Sequence, residues 1–493
     1  MGKQSLCGFA GLCAYFLLFS DVHNHSFVAY DDLSYVVQNR FVRNGLSWEG
    51  VRWAFSSLNG GVSYWHPLTW VSHQIDVEIY GGDCSGHKLT NLFLHLYNGV
   101  LVYAMLRRLS HPAFVCYSVA GVFLCHPLHV ESVVWVSERK DLLCAFFELL
   151  AFHSYLSYHE NKRWKHYSGM CLWFACALMS KPMAVTFPCL VLLVEFWLRR
   201  SGGTKRGLGA DWESGLSSVV PLFLMSFAVG GLTILAQRDL DVVPSLDELS
   251  LSYRFANAFT SYLIYSLQAL VPLGLGPHYP YPRAFGPWFV LFGVTFFCAM
   301  SIWAFRAWRS DPVVGFGWAW YVIGLLPVIG LIQTSDQARA DRYMYLPLVG
   351  LTLIGTSRVY RLHSRLPRGS AVCLVGMMFC FYSWMTWHRI GDWRDSVTLF
   401  SRALRVTENN AVMHFGLAQS LDWVNESELV LEHLLAAMEI EPENPHVHTA
   451  LARFYSYEGR RRLERIHLEK AVAWGVTDPL LERRLAGVLS DIR

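Results

Sequence analysis

Two adjacent carboxylates, Asp31 and Asp32, closely follow the first apolar segment of the chain. Paired carboxylates can serve as a general base or as ligands of a divalent cation such as Mg²⁺ or Mn²⁺. Neighbouring side chains in an extended loop point in opposite directions, so the two residues need not share one task. The sequence therefore predicts a catalytic carboxylate here. It leaves open which of the two acts, and whether a cation takes part.

Cationic and imidazole side chains recur at the ends of later apolar segments. Cations at the hydrocarbon edge suit a lipid-linked phosphate, because negative charge grows on a leaving phosphate in the transition state. The candidates for binding that phosphate are Arg139, Lys140, Lys181, Arg339 and Arg342. The further candidate site residues are His66, His126, His129, Glu131 and Tyr343.

Each of these predictions has a structural alternative. The carboxylate pair could be part of a solvated loop or a helix cap. The histidines at positions 126 and 129 could be structural residues at the membrane interface, or they could ligate a metal together with Glu131. Lys181 could snorkel from the end of a helix, and the run from Arg339 to Arg342 could be an interface anchor.

The composition places these residues in a membrane protein. The 493 residues are 53% hydrophobic and 16% charged, and the mean hydropathy is +0.28. A soluble domain has about a quarter charged residues. These figures exclude a disordered chain, a coiled coil and an ordinary soluble enzyme, and the net charge of +3 gives no case for a nucleic-acid partner. They indicate an all-α, polytopic bundle of transmembrane helices.

Twelve apolar segments are candidate spans, and the hydrocarbon core requires roughly 20 residues for each. They begin near residues 5, 88, 113, 141, 167, 182, 217, 255, 288, 313, 343 and 370. Basic loops stay cytoplasmic. They occur at Arg107-Arg108, at residues 162–165, 199–206 and 306–309, and at 358–368. This pattern predicts 11–12 spans within residues 1–390, with 255–272 re-entrant or interfacial, residues 21–87 as an outer loop, and the polar clusters on the non-cytoplasmic face.

The composition changes to that of soluble helices after about residue 390. A 34-residue period aligns Asn410-Ala411 with Asn444-Pro445, which is the period of tetratricopeptide (TPR) helix pairs. The residues that fall in register are Phe400, Leu434 and Leu468, then Ala403, Ala437 and Ala471, and finally Leu417 with Leu451. The sequence thus predicts a short TPR-like repeat domain over 391–493, on the non-cytoplasmic side.

An ordered set of motifs resembles a known family. The set comprises Tyr30-Asp31-Asp32, Trp65-His66-Pro67-Leu68, residues 87–95 (HKLTNLFLH), residues 126–131 (HPLHVE), Ser180-Lys181-Pro182 and residues 341–347 (DRYMYLP). With the repeats that follow, it is similar to the transmembrane and tetratricopeptide-repeat (TMTC-like) protein O-mannosyltransferases of the GT-C class of glycosyltransferases. The chain departs from the animal members at His66, where they have arginine, and at Pro182, where they often have glutamate. Its repeat array is also much shorter.

The resemblance implies an enzyme that moves a sugar, usually mannose, from a polyprenyl- or dolichyl-phosphate donor to a protein or glycan hydroxyl. In such enzymes an acidic residue of the first outer loop is the base, which maps to Asp31 or Asp32, and Arg342 maps to an arginine near the donor phosphate. The partners would be the lipid-linked donor, the acceptor and membrane lipid. The membrane would be a bacterial inner membrane or, in a eukaryote, the endoplasmic reticulum. A non-catalytic TPR assembly factor and a transporter of a lipid-linked precursor are the alternatives.

Overall fold

The computed structural model describes residues 3–57, 65–201, 212–238, 249–331, 337–362, 367 and 369–475, without the side chains of 3–10, 201, 212–217 and 236–238. Its contacts divide the chain into two compact units. The first unit comprises residues 1–27, 31–275 and 281–394, and the second comprises 28–30, 276–280 and 395–493. Lys205, Arg206, Arg365 and Arg368 of the predicted basic loops, and residues 476–493 of the predicted repeat domain, lie outside the described residues.

Helices form nearly all of the first unit, and each of the twelve predicted apolar segments contains one. These twelve are Lys3–Leu18, Cys84–Arg108, Ala113–Cys125, Arg139–Asn161, Trp164–Leu178, Phe187–Ser201, Trp212–Arg238, Leu251–Gln268, Pro287–Ser310, Pro312–Leu325, Leu348–Leu362 and Ser370–Gly391. Shorter helices at Arg40–Arg43, Trp48–Ser56 and Pro67–Tyr80 lie within the predicted outer loop. Gln337–Arg339 is a short strand. The all-α fold class is confirmed.

Five helices of the described residues are long and apolar enough to cross a membrane. A sixth span is added if Ala113–Cys125 and Pro127–Val134, which meet at a bend of 52°, count as one. Four of the other expected spans fall short because their helices have fewer than 18 residues; Arg139–Asn161 and Leu251–Gln268 are long enough but less apolar. The chain is therefore a multi-pass membrane protein. The sidedness of its loops stays a prediction.

The break from His126 to Glu138, between the helices Ala113–Cys125 and Arg139–Asn161, contains many of the polar side chains. His126 is extended because the residue before a proline is restricted to that region. Short turns follow at Pro127–His129, Val130–Val134 and Val136–Glu138, and a long helix then begins at Arg139. The irregular backbone brings the carboxylates of this segment close together. In a continuous helix, most of them would point in other directions.

Two glycines allow close packing of the Pro312–Leu325 and Leu348–Leu362 helices. A Cβ on Gly317 would lie 2.4 Å from the carbonyl oxygen of Gly350, and a Cβ on Gly350 would lie 2.3 Å from that of Gly317. Neither distance is sterically allowed, and backbone atoms cannot move aside as a side chain can. Each residue is therefore restricted to glycine by the other helix.

The second unit is built from antiparallel helices. They are Ser396–Val406, Ala411–Ser420, Ser427–Ile440, Pro445–Tyr457 and Arg461–Ala473. Tyr279–Pro280 is a short strand of this unit. Tyr30 also belongs to it: its hydroxyl lies 3.2 Å from Nδ1 of His278, and its ring contacts Phe400.

The predicted 34-residue register is present in this packing. Every residue of the three predicted sets is buried: Phe400, Leu434, Leu468, Ala403, Ala437, Ala471, Leu417 and Leu451. Asn410 and Asn444 cap equivalent helices by accepting backbone N–H groups. A histidine pair also repeats, since His414 lies against His433 and His448 lies against His467, with Nδ1 atoms 3.1 and 2.7 Å apart. The helices are consistent with TPR-like pairs.

Candidate functional site

Glu138 is the centre of a buried cluster of charges in the first unit. One carboxylate oxygen lies 3.0 Å from Nζ of Lys140 and 3.3 Å from Nε of Arg342, and the other lies 3.2 Å from Nζ of Lys181. These three cations are far apart in sequence, yet they share one acceptor. Three of the five predicted phosphate-binding residues therefore meet at one point.

Local backbone geometry explains this meeting. Glu138 ends the last short turn before the Arg139–Asn161 helix, and Lys140 and Asp141 follow in the first turn of that helix. Lys181 is extended because it precedes Pro182. Arg342 lies in the Asp341–Met344 turn. Each charge is thus held at the end of a helix or in a tight turn, where its backbone is fixed.

Arg342 is held on several sides. Its guanidinium forms an ion pair with Glu131, whose other carboxylate oxygen accepts the Arg342 backbone N–H at 3.3 Å. The same guanidinium lies 5.6 Å from the ring centre of Trp135 and 5.2 Å from that of Tyr343. Lys181 lies 5.9 Å from the Tyr343 ring. Glu131 and Tyr343, both predicted site residues, therefore belong to this cluster.

The two adjacent aspartates differ in their surroundings. Asp32 is fully buried, and one of its oxygens accepts the backbone N–H of Ser137 at 2.9 Å and the Ser137 hydroxyl at 2.6 Å. Asp31 is only partly buried. Among the described residues, none donates a hydrogen bond to the Asp31 carboxylate. Asp32 therefore fixes the Ser137 loop, whereas Asp31 has lone pairs available for a substrate.

The balance of charges favours the same distinction. Four carboxylates, of Asp31, Glu131, Glu138 and Asp141, face three cations. Each except Asp31 is in direct contact with a cation. Burial raises the pKa of Asp31 to about 6, while the charges of Lys140 and Arg342 act to lower it. A carboxylate with this pKa is ionised near neutral pH and is more basic than an ordinary aspartate.

The opposite holds for the central carboxylate. Burial alone would raise the pKa of Glu138, but the charges of Lys140, Lys181 and Arg342 hold it well below its usual range. Glu138 therefore stays ionised. The pKa of Lys181 is raised, because Asp141 and Glu138 outweigh the effect of burial. Glu138 and Lys181 thus keep their charges at physiological pH.

An aromatic layer connects His66 to this cluster. The His66 ring stacks on Tyr35 and Trp70, with ring centres 5.6 and 4.9 Å away. Lys140 lies 4.9 Å from the centre of the Tyr35 ring and donates to its hydroxyl at 3.3 Å. His66 is therefore one layer away from the charges, behind Tyr35.

The other two predicted histidines are bound to the backbone. Nδ1 of His126 accepts the Leu128 N–H at 3.2 Å, so its Nε2 donates to the Ala269 carbonyl. Nδ1 of His129 lies 2.7 Å from the Phe123 carbonyl oxygen. These bonds hold the break between the two helices. Within the described ranges, no group of three or more His, Cys, Asp or Glu side chains is placed to hold a metal ion, so His126, His129 and Glu131 do not form a metal site together.

One predicted phosphate-binding residue, Arg139, lies in a different buried cluster. The guanidinium of Arg139 forms a buried ion pair with Asp76 and donates to Oδ1 of Asn91 and to the His87 carbonyl. Adjacent residues of a helix face different directions, which separates Arg139 from Lys140. Arg339 lies on the short strand before the Asp341–Met344 turn and is partly buried.

Glu138 was missing from the predicted site residues. Its signal was a run of five polar residues, Ser137 to Asp141, at the start of an apolar segment. A buried charge needs partners of opposite charge. That rule would have selected Glu138 and Asp141 as the acceptors.

Known proteins with similar sequences are protein O-mannosyl-transferases. TMTC3 of Homo sapiens is 22% identical over 434 residues, which cover 81% of this chain and 47% of the relative. F38B6.6 of Caenorhabditis elegans is 23% identical, covering 75% of this chain and 52% of the relative. TMTC4 of Homo sapiens is 25% identical, covering 80% and 61%. The chain is TMTC-like.

The similarity extends through most of this chain and confirms the resemblance seen in its motifs. No family model matches the chain. The chain spans about half the length of the curated relatives it matches. The name of each relative describes a transferase of mannose to protein.

Proposed function

We propose that the chain is a GT-C-type glycosyltransferase that moves a sugar, mannose in the first instance, from a polyprenyl- or dolichyl-phosphate donor to a hydroxyl of a protein or glycan. The observation that carries this proposal is the Glu138 cluster, where three cations surround one carboxylate beside the partly buried Asp31. The similarity to protein O-mannosyl-transferases supports the choice of reaction.

The cations have a role that fits a lipid phosphate. A phosphodiester donor carries one negative charge, and its leaving phosphate gains a second as the bond to the sugar breaks. Lys140, Lys181 and Arg342 are already oriented by Glu138, so their N–H groups need little reorganisation to stabilise that charge. Arg342 is the principal candidate, because its guanidinium also lies against two aromatic rings.

Asp31 is the proposed base. It would take the proton of the acceptor hydroxyl while that oxygen attacks the anomeric carbon and the lipid phosphate departs. Its raised pKa makes it a stronger base than an ordinary aspartate, and its carboxylate is not already bonded to Ser137 as Asp32 is. Inversion at the anomeric carbon is expected from a single displacement of this kind.

We place the reaction on the non-cytoplasmic side of the membrane. In a eukaryotic cell that side is the lumen of the endoplasmic reticulum, and the relatives quoted above come from animals. The TPR-like helices would help to hold a protein acceptor on the same side. Between residues 396 and 473 there are two complete helix pairs, whose surface suits a short acceptor segment.

The test is sugar transfer in membranes that contain the full chain. Labelled dolichyl-phosphate mannose is the donor, and a peptide rich in serine and threonine is the acceptor. Asp31→Asn is expected to lower the transfer rate by about 10²- to 10⁴-fold, the usual contribution of a general base. Glu49→Gln is the control, since Glu49 is an exposed acidic residue in the same predicted outer loop.

Full activity of the Asp31→Asn variant would refute the assignment of the base. A wild-type chain that transfers no sugar from the lipid-phosphate donor, in the presence of a working control enzyme, would refute the proposed reaction. A non-catalytic assembly factor would then remain, and mutations on the exposed faces of the repeat helices would be the next test.

A further inference from the structure

A cavity opens beside the Glu138 cluster, and the proposed reaction leaves it without a role. It lies within the first unit. Asp141, Cys144, Ala145 and Glu148 line one side of it. Their spacing of three, four and seven residues is that of one helix face, so the cavity follows the Arg139–Asn161 helix away from the charges.

Asp141 joins the cavity to the cluster. One of its oxygens forms an ion pair with Lys181, and the other accepts the Ser132 hydroxyl at 3.0 Å. Glu148 follows two helical turns later, about 10 Å along the axis. The cavity therefore begins at the carboxylate that pairs with Lys181, a cation that the proposed reaction assigns to the phosphate, and it extends away from that pair.

Glu148 lacks the partners that a buried carboxyl needs. Only 5% of the residue is exposed, and none of the described residues donates a hydrogen bond to its side chain. A buried carboxyl without donors is costly to the fold, and an ionisable residue within an apolar helix is a functional candidate by default. Its donors must come from whatever enters the cavity.

The rest of the lining selects the kind of ligand. Trp320 offers an aromatic surface, and Thr186 adds a hydroxyl group, whereas the Tyr345 hydroxyl is already bonded to His95 and Asn98. Carboxylate acceptors combined with aromatic surfaces suit a neutral molecule with many hydroxyl groups. A prenyl chain offers no hydrogen-bond donor and would leave Glu148 unsatisfied, and a second phosphate would be repelled by both carboxylates.

We infer that this cavity is the subsite for the sugar of the lipid-phosphate donor, with Glu148 accepting hydrogen bonds from hydroxyls of a hexose ring. The inference rests on the proposed function, because it places the sugar next to Lys181 at the phosphate. Asp141 provides a second acceptor nearer the phosphate. Glu148 is thereby a residue that determines which sugar is bound.

Two probes that share the dolichyl chain, one with the sugar and one without it, test this subsite; the one without it is a phosphate monoester with a second negative charge, which is the same for every variant. They are dolichyl-phosphate mannose and dolichyl phosphate, and their affinities are measured on the purified full chain in detergent. The ratio of the two affinities isolates what the sugar contributes. Glu148→Gln keeps the volume and removes the charged acceptor, so it is expected to lower this ratio by about 10- to 100-fold, the effect of losing a hydrogen bond to a charged group. The affinity for dolichyl phosphate alone is expected to stay unchanged.

A matched control is available in Glu195→Gln. Glu195 is also 5% exposed, but it contacts Tyr155 and Arg199 and does not line the cavity. Its replacement is expected to leave the ratio at the wild-type value. If Glu148→Gln does not fold, Cys144→Met narrows the same cavity without changing a charge and is expected to lower the same ratio.

The outcomes separate the two proposals. A ratio unchanged by Glu148→Gln overturns the sugar subsite, and so does an equal loss of affinity for both probes, which would assign the cavity to the lipid. A wild-type chain that binds neither probe and transfers no sugar overturns the proposed function itself.

Discussion

Arg139 and Lys140 are consecutive residues, yet they belong to two different buried clusters. Arg139 donates to Asp76, Asn91 and the His87 carbonyl, so its guanidinium is surrounded by acceptors. Lys140 joins Glu138 in a cluster with one carboxylate more than it has cations. In the first cluster the cation is paired with a carboxylate, and this buried pair stabilises the fold. In the second cluster, no described residue donates a hydrogen bond to the Asp31 carboxylate, so this carboxylate can accept a proton from a substrate.

The difference is not one of burial, since both clusters are nearly inaccessible to solvent. The difference lies in whether each charged side chain already has a partner. Buried groups that are fully bonded resist change, whereas one with free lone pairs can exchange a proton with a ligand. Four substitutions test this distinction, and the change in free energy expected from them decreases from the first to the last.

The largest effect is expected for Arg139→Met. It leaves the buried carboxylate of Asp76 without its cation, and removing one partner of a buried ion pair costs about 3–5 kcal/mol. The free energy of unfolding in detergent is expected to fall by that amount. Adding Asp76→Leu is expected to restore most of it. Loss of sugar transfer with unchanged stability would instead place Arg139 in the active cluster.

Arg342→Gln is expected to affect the rate more than the fold. Glu138 keeps Lys140 and Lys181, and the glutamine amide can still donate a hydrogen bond to Glu131, so the cluster loses less stability than with Arg139→Met. The transfer rate constant kcat is expected to fall about 100-fold, the contribution of one preorganised group at a developing charge. Single-turnover kinetics with saturating donor measure this change. An unaltered kcat would remove Arg342 from the reaction.

The pH dependence of transfer tests the state of Asp31. A base must be deprotonated, so activity is expected to rise with pH through about 6, the raised pKa of Asp31. The charge of Lys140 holds that pKa down, and its loss raises the pKa further. Lys140→Gln is therefore expected to move the rise to higher pH by about one unit. A profile that stays in place would show that another group limits the rate.

The smallest effect is expected for Asp32→Asn. The amide oxygen can still accept both hydrogen bonds from Ser137, and only the assistance of the charge is lost. Stability is expected to fall by about 1 kcal/mol, with transfer within threefold of wild type. Thermal unfolding and the transfer assay measure the two quantities on one sample. A loss of activity as large as that of Asp31→Asn would mean that both carboxylates act.

The sequence predicted the positions of the helices well, because apolar periodicity is a property of each segment. All twelve expected apolar segments contain helices, and the buried register of Phe400, Leu434 and Leu468 follows from a repeat visible in the sequence. The sequence also predicted Lys140, Lys181 and Arg342 together as candidates for binding a phosphate. Their common chemistry was evident from their places at the ends of apolar segments.

The pairing of neighbours was beyond the sequence. Adjacent residues point in different directions, and the sequence does not show which direction each takes. Only the structure shows that Asp32 bonds to Ser137 and that Arg139 and Lys140 point to different clusters. The roles of His126 and His129 depend on carbonyl groups that only the folded chain brings near. Glu148 was visible as a charge in an apolar segment, but its cavity depends on helices more than a hundred residues away in the chain.

The contact between Gly317 and Gly350 has a consequence for how inactivating changes are distributed along this chain. Gly350 is the third residue of a helix that begins six residues after Arg342, so a methyl group on either glycine would push apart the two helices and displace the guanidinium. A saturation screen for lost activity is therefore expected to recover Gly317 and Gly350 beside the charged residues. Those positions have no functional group of their own, and their intolerance would report on alignment alone.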